Sequence, residues 1–338
     1  MIDPLPPERQ EFLAVMGLAD EFTEEMARFV TENEETSRIL QDLTGQNAFV
    51  TRLPDSKNYR FHHMMKECAI RKFRTLPGAS QTAYWNRFGD WYGAHGQYLH
   101  ALDAYRMSAN NDAALAIIEK DAGNLLSAIA PEDLLSRLDA CPAEVLMRHP
   151  TALLVLMRRL FTWRQIPKML QMKELLSRAI AESPDMTAEE RGNLLGECDL
   201  IMSFLSYNDI TEMSRLHRSA SRQMTSSAVT IQAGSWTFGS PSVLMMYYRA
   251  PGELQKELHE MNECMPHYYR ITNGHGLGAE LVMAAEASFM QGRLHEAEIG
   301  LERARTKIAG SGQENMALCC DFLQLRLRLA AGKGRLLD

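Results

Sequence analysis

Two groups of side chains have residue types that could do chemistry. The first is Arg60-Phe61-His62-His63, two adjacent imidazoles at a strand-to-helix junction. Imidazole donates or accepts near neutral pH, so His62 or His63 could donate to a phosphate; the plainer reading has one ring packed and the other exposed. The second group is Trp236, Tyr247, Tyr248, Arg249, Tyr268, Tyr269, Arg270 and His275. Tyr-Tyr-Arg occurs at 247–249 and again at 268–270, placing amphipathic and charged groups on both helices of a pair. That composition predicts a surface for a ligand or partner, although packing between helices accounts for most of the aromatics by itself.

Other motifs lead away from catalysis. The only Gly-Lys, Gly332-Lys333, is followed by Gly334, so no phosphate-binding loop of the G-x-x-x-x-G-K-[ST] form exists. Gly274-His275-Gly276-Leu277-Gly278 lacks the third glycine of a dinucleotide fingerprint and has no strand before it, so it reads as a flexible interhelix loop. His295-Glu296 has no second His at zincin spacing and belongs on a solvated helix start. Neither a nucleophile motif nor a metal-ligand spacing stands out, so the chain is expected not to be an enzyme.

Bulk properties narrow the partners. The 338 residues have 46% hydrophobic content and a net charge of −7, which suits a large core and disfavours an extended nucleic-acid surface. Six cysteines, Cys68, Cys141, Cys198, Cys264, Cys319 and Cys320, form no C-x-x-C pair and read as small buried hydrophobes in a reducing compartment. No apolar run reaches the roughly 18 residues of a membrane span, and MIDPLPPERQEF lacks the build of a signal peptide. A cytoplasmic protein without membrane contact is expected.

The elements that position these groups change character along the chain. Helices are predicted over Pro7 to Met16, Glu21 to Thr31 and Thr36 to Leu43. Ala48 to Leu53 and Asn58 to His62 are β-like runs around the turn residues Pro54-Asp55-Ser56-Lys57, and a helix from His63 to Arg74 closes the module. Three helices, a two-stranded wing and a closing helix make a winged-helix module over residues 1–75. Its third helix, TSRILQDLTG, has no cluster of base-reading side chains, which argues against DNA contact there.

From Leu76 onward the pattern is helical, with breaks expected at Pro77-Gly78, Pro131, Pro142, Pro150, Pro184, Pro241, Pro251 and Pro266. Trp85, Phe88, Gly89, Tyr92, Ala101 and Tyr105 match a whole tetratricopeptide unit, with Gly96 as its turn. Later turns are expected at Arg164, Asn208, Gly252, Gly292 and Gly332, spaced 44, 44, 40 and 40 residues apart, with Ile166, Ile210, Leu254 and Leu294 two positions after the first four. Such a period marks a stack of helix pairs, because one pair cannot bury its apolar face without the next. The expected fold is mainly all-α: a tetratricopeptide-like helical-hairpin superhelix over residues 76–338 behind the winged helix. Only six residues follow Gly332, where a second helix should stand, so a truncated array and a longer parent protein are expected.

With these parts in order, nearly the whole chain resembles the middle of the ATP-dependent LuxR-type transcriptional regulators, the maltose-regulator-like group of STAND ATPases. The resemblance rests on Phe12-Leu13 through Phe22, Glu25 and Ala27, on Asn47-Ala48-Phe49-Val50, on Tyr59-Arg60-Phe61-His62-His63-Met64-Met65, and on Trp91, Gly96 and Ala101. It implies an ATPase domain upstream, a winged helix closing over ATP or ADP through His62 or His63, a repeat domain sensing a small-molecule inducer or regulatory protein, and a C-terminal helix-turn-helix that reads DNA. This sequence contains neither the ATPase nor the helix-turn-helix, so it implies no cofactor here and DNA contact only through the missing domain. The alternative is a stand-alone scaffold that binds peptide segments or self-associates.

Overall fold

A computed structural model describes residues 2, 4–45, 50–54, 57–206, 209–231, 241–248 and 251–332. Among these residues the chain forms eighteen α-helices and a three-stranded sheet, in two compact units, residues 1–145 and 146–338.

The first unit begins with α1 (Pro7–Met16), β1 (Phe22–Thr23), α2 (Glu24–Thr31), α3 (Thr36–Gly45), β2 (Val50–Arg52), β3 (Asn58–Phe61) and α4 (His63–Phe73). Strand order is β1-β3-β2, antiparallel throughout, with Phe22 opposite Tyr59 and Val50 opposite Phe61. The expected two-stranded wing therefore gains a third strand, and the helix expected from Glu21 starts at Glu24 instead. Two interactions set that start. The Thr23 hydroxyl accepts the Met26 amide at 3.1 Å, an N-cap, while the Phe22 ring lies against Tyr59 and Phe61, with centroids 5.8 and 5.5 Å away. α1 and α4 pack closely at Gly17, where an added Cβ would lie 2.3 Å from the Ala69 Cβ. Ala48 and Phe49 of the expected first wing strand, and Asp55-Ser56 of the turn, lie outside the described residues.

The helices α5 (Gly78–Ala94) and α6 (Tyr98–Met107) form the tetratricopeptide-like hairpin. Gly96 turns the chain at φ 72°, a conformation that suits glycine. Gly89 lets the helices cross, because a Cβ there would lie 2.4 Å from the Tyr105 ring. α7 (Asn111–Lys120), a 3₁₀ turn (Asn124–Ala128) and α8 (Pro131–Ala140) complete the unit, and the short α9 (Ala143–Met147) follows.

The second unit stacks further pairs: α10 (Pro150–Thr162) with α11 (Ile166–Glu182), α12 (Ala188–Ser203) with α13 (Ile210–Gln223), then α14 (Val243–Tyr247), α15 (Leu254–Ile271), α16 (Ala279–Met290) with α17 (Leu294–Ile308), and α18 (Glu314–Ala330). The periodicity places these elements closely. Arg164, Gly252, Gly292 and Gly332 all have positive φ, between 58° and 88°, and Ile166, Ile210, Leu254 and Leu294 are each the first residue of the helix that follows. Asn208 lies outside the described residues.

Pro266 corrects one expectation. It lies inside α15 rather than ending it. An interior proline costs about 3 kcal/mol, yet Met261, Cys264, Met265, Tyr268 and Ile271 of the same helix are all buried in one core, and that burial outweighs the missing hydrogen bond. Cys198, Cys264, Cys319 and Cys320 are buried free thiols, and burial pushes Cys198 up to about 11; Cys68 and Cys141 are half-buried. Among the described residues no helix is long and apolar enough to cross a membrane.

Candidate functional site

In the first unit the winged helix and the hairpin share one hydrophobic core. Phe73, at the end of α4, meets Tyr84 and Trp85 of α5 with centroids 6.3 and 5.9 Å apart, and Phe29 of α2 meets Trp91 at 5.5 Å. Polar contacts reinforce the seam. The Tyr84 hydroxyl donates to Glu11 at 2.7 Å, while Arg87 donates to the Val30 carbonyl at 3.3 Å and pairs with Glu32.

The histidine pair lies on the same unit, at the start of α4. Phe61 is buried and anchors β3, whereas His62 and His63 are both exposed, which corrects the reading with one ring packed. The cause is local: His62 is the N-cap residue with extended backbone and His63 opens the first turn, so both rings project from a helix end. His63 Nδ1 is 3.8 Å from Glu67, and no side chain caps the helix. Arg60 is committed elsewhere, since it pairs with Glu21. Together with Asn58 it holds the Glu21 carboxyl below the usual carboxylate range. The free amides of this helix end and its dipole favour an anion.

The second expected group is mostly interior. Tyr247, Tyr268 and His275 are 2–3% exposed, so these three are core residues rather than a recognition surface. The Tyr268 hydroxyl lies 2.6 Å from His275 Nδ1, and its ring lies 4.7 Å from the His217 ring. Tyr269 is half-buried; its hydroxyl donates to Glu280 and accepts the Gly278 amide at 3.1 Å, while Lys307 sits over its ring and pairs with Glu280. Burial, then the Glu280 charge, raises the Tyr269 phenol far above its ordinary value. Arg270 donates to Ser221 at 2.7 Å, and Tyr248 is half-buried against the core. Trp236 and Arg249 lie outside the described residues. The glycine loop 274–278 is pinned, with the Gly276 amide donating to Gln313 at 2.9 Å and no room for a Cβ at Gly278. His295 and Glu296 are exposed in the first turn of α17, as expected.

The second unit also holds a cleft that the sequence reading missed, with a volume of about 640 Å³. Its lining includes Leu154 of α10 and Leu194 of α12; one wall is Glu182 at the end of α11 with 183–186 after it, and the other includes Ser226 and Val229 after α13. Side chains of α12 fix both walls. Arg191 donates to the Ile180 carbonyl at 2.8 Å and the Ser183 carbonyl at 3.3 Å, satisfying groups that α11 leaves open at its end. Asn193 Oδ1 accepts the Thr225 amide at 2.8 Å and the Ser226 amide at 3.2 Å, and Glu197 accepts the Thr230 amide at 2.6 Å. Gly192 and Gly196 let the end of α13 approach: a Cβ at Gly192 would lie 2.6 Å from the Gln223 carbonyl oxygen, and one at Gly196 would lie 2.4 Å from Met224 Cγ. Glu190 closes a capping box with Thr187. Burial raises the Glu197 carboxyl above the carboxylate range, against the lowering effect of Thr230. The available signal was Gly192-x-x-x-Gly196 inside a strongly helical stretch, which marks a close approach.

The comparisons with known proteins bear on the first unit. Residues 1–81 match the family model of the MalT winged helix domain. The match covers the module that carries His62 and His63 and ends inside α5, at the seam with the hairpin. Comparison with curated proteins gives no match. A solved structure from Pyrococcus horikoshii, a signal transduction ATPase with numerous domains and a tetratricopeptide repeat sensor, is similar at TM-score 0.46 and 10% identity, over 98% of this chain and 48% of that one. The chain thus spans about half the length of that protein, and the likeness is too slight to carry an argument.

Proposed function

We propose that this chain is the regulatory sensor region of a LuxR-type transcriptional regulator of the STAND ATPase class. The observation that carries the reading is the match of residues 1–81 to the MalT winged helix domain, on a module joined through one core to a tetratricopeptide-like hairpin. In this reading the stacked helix pairs receive a small-molecule inducer or regulatory protein in the cytoplasm. The winged helix passes the state on to an ATPase, and DNA is read by a separate helix-turn-helix. The chain itself is not an enzyme and holds no cofactor. ATP or ADP belongs to the parent protein, with His62 or His63 at the start of α4 facing its phosphates, where exposed imidazoles and free helix amides suit an anion.

The coding sequence on either side tests the reading directly. A P-loop ATPase in frame upstream and a helix-turn-helix segment downstream are the expected result; the lack of both overturns it. A nucleotide assay on the joined protein then separates the histidines, since replacing the one that touches phosphate weakens ADP retention and replacing the other does not.

A further inference from the structure

One face of α18 is apolar and exposed. Leu318, Phe322, Leu325 and Leu329 are 61%, 42%, 40% and 55% exposed, and their spacing of four, three and four residues sets them in one row along the helix. Single exposed apolar residues are ordinary on a protein surface, whereas four in one row make a contiguous patch. The opposite face belongs to the core, since Met316, Cys319, Cys320, Leu323 and Leu327 are all buried.

The repeat shows what such a row receives. Gly292 and Gly332 are 40 residues apart, and at the same interval before the row stand Gly278, Val282, Ala285 and Phe289, at the N-cap and along the length of α16. Helix α17 covers those positions. A Cβ at Gly278 would lie 2.7 Å from Ile308 Cγ1 at the end of α17, and one at Gly300, nearer its start, would lie 3.0 Å from the Ala285 Cβ, so the two helices run antiparallel. Val282 is fully buried there. The row on α18 therefore has the register of a seat for an antiparallel helix.

The row is also complementary to itself. Its spacing reads the same from either end, so two α18 helices laid antiparallel bring Leu318 against Leu329 and Phe322 against Leu325, each contact made twice, as a two-fold interface requires. The charges agree with that pairing. Asp321, at the edge of the row, comes beside Arg328 of the other copy; Arg328 is exposed, and Asp321, although it pairs with Arg305, keeps 59% of its side chain exposed and has lone pairs for a second donor. A helix of different sequence would not need a row symmetric about its own midpoint.

We infer that α18 is a self-association surface: two copies of the chain dimerise through antiparallel α18 helices, with Leu318, Phe322, Leu325 and Leu329 interdigitated across a two-fold axis and an Asp321–Arg328 pair on each side. The inference goes beyond the sensor reading and does not depend on it, because it concerns one face of α18 alone.

Sedimentation equilibrium on the 338-residue chain tests the surface. A dimer with a dissociation constant on the order of 1–100 μM is expected, as suits one helix pair with a central aromatic anchor. Phe322→Asp should weaken it roughly thirty-fold or more, because both copies lose the anchor and bury a charge in its place. Leu318→Glu and Leu329→Lys should each weaken it as well. Combined in one chain they should associate roughly ten-fold more tightly than either alone, since in the antiparallel register each Glu meets a Lys of the other copy. All the substituted side chains are exposed, so the variants should keep the fold, and circular dichroism checks that they do. A chain that stays monomeric up to about 1 mM, a dimer indifferent to Phe322→Asp, or a double variant no tighter than the weaker single one overturns the inference. So does a monomer obtained when the flanking coding sequence is joined to the chain, which would give the row to a helix that follows α18.

Discussion

Tyr84 of the first repeat donates its hydroxyl hydrogen to Glu11 of the winged helix, 2.7 Å away, and this bond crosses the seam between the two folding motifs of the first unit. Burial, followed by the bond to Glu11, pushes the Tyr84 phenol from an ordinary 10.0 up to about 12. A raised phenol pKa means that the neutral form is favoured by folding. Its contribution is therefore fully present below pH 10 and is lost as pH climbs through about 12. Tyr84→Phe should cost about 1 kcal/mol at neutral pH, read by urea denaturation. It should also shallow the alkaline limb of the stability curve, which Tyr92 and Tyr105 keep from vanishing because burial raises their phenols too. An unchanged alkaline limb would show that Tyr84 is not held as described.

The hairpin next to that seam depends on a crossing too tight for a side chain. A Cβ at Gly89 would lie 2.4 Å from the Tyr105 ring, whose hydroxyl is itself fixed by Asp90 at 2.7 Å, so the ring has little freedom to retreat. Gly89→Ala should destabilise by about 1–3 kcal/mol, the cost of overpacking a full core. Gly78→Ala meets nothing within 4 Å and should be close to neutral. Melting temperatures of the two variants check the contrast, and similar values for both would count against the crossing.

Helical period and turn chemistry are local, and they were legible to the residue. The start of α1 at Pro7, the first residues of α11, α13, α15 and α17, and the positive-φ turns at Gly96, Arg164, Gly252, Gly292 and Gly332 all follow from the chain's own spacing. What escaped depends on contacts distant in sequence. Phe22-Thr23 reads as helix until β3 arrives to pair with it, 36 residues later at Asn58–Tyr59. Tyr268 and His275 look like surface chemistry until the fold buries both, with the His217 ring of another helix against Tyr268 and the Tyr268 hydroxyl against His275. The cleft needs α10, the turn after α11, α12 and the turn after α13 together, and neither Gly192 nor Gly196, which let the end of α13 approach α12, was singled out in the sequence.

His217 lies in the core of the second unit, where burial forces its imidazole from 6.5 down to about 3. Its Nε2 is 3.0 Å from the Ser203 hydroxyl, and its Nδ1 is buried with no hydrogen-bond partner among the described residues. A lowered imidazole pKa means that the unfolded chain takes up a proton first. The penalty is absent above pH 6.5 and grows as pH falls toward 3, at about 1.4 kcal/mol per pH unit at its steepest. His217→Met should flatten that acid limb, and Ser203 keeps the Leu200 carbonyl at 2.6 Å as its acceptor. Circular dichroism between pH 3 and 7 checks this, and an acid limb as steep as before would place the sensitivity elsewhere.

Gly192 and Gly196 face the end of α13 from adjacent turns of α12, yet what opposes them differs. At Gly192 the obstacle is the Gln223 backbone carbonyl, 2.6 Å from an added Cβ, and it moves only if the chain after α13 lifts away. The nearest obstacle at Gly196 is Met224 Cγ, part of a flexible side chain that can turn aside in part, although the Ala220 carbonyl at 3.1 Å limits the space. Gly192→Ala should therefore loosen 224–231 more than Gly196→Ala does. The amides of Thr225, Ser226 and Thr230 report it, since Asn193 and Glu197 protect them through hydrogen bonds that lengthen when the segment lifts. Hydrogen exchange at these three sites should be about ten-fold faster or more in Gly192→Ala, equivalent to roughly 1.4 kcal/mol of lost protection, with a smaller change in Gly196→Ala. Unchanged exchange in Gly192→Ala would mean that the close approach does not hold the wall at all.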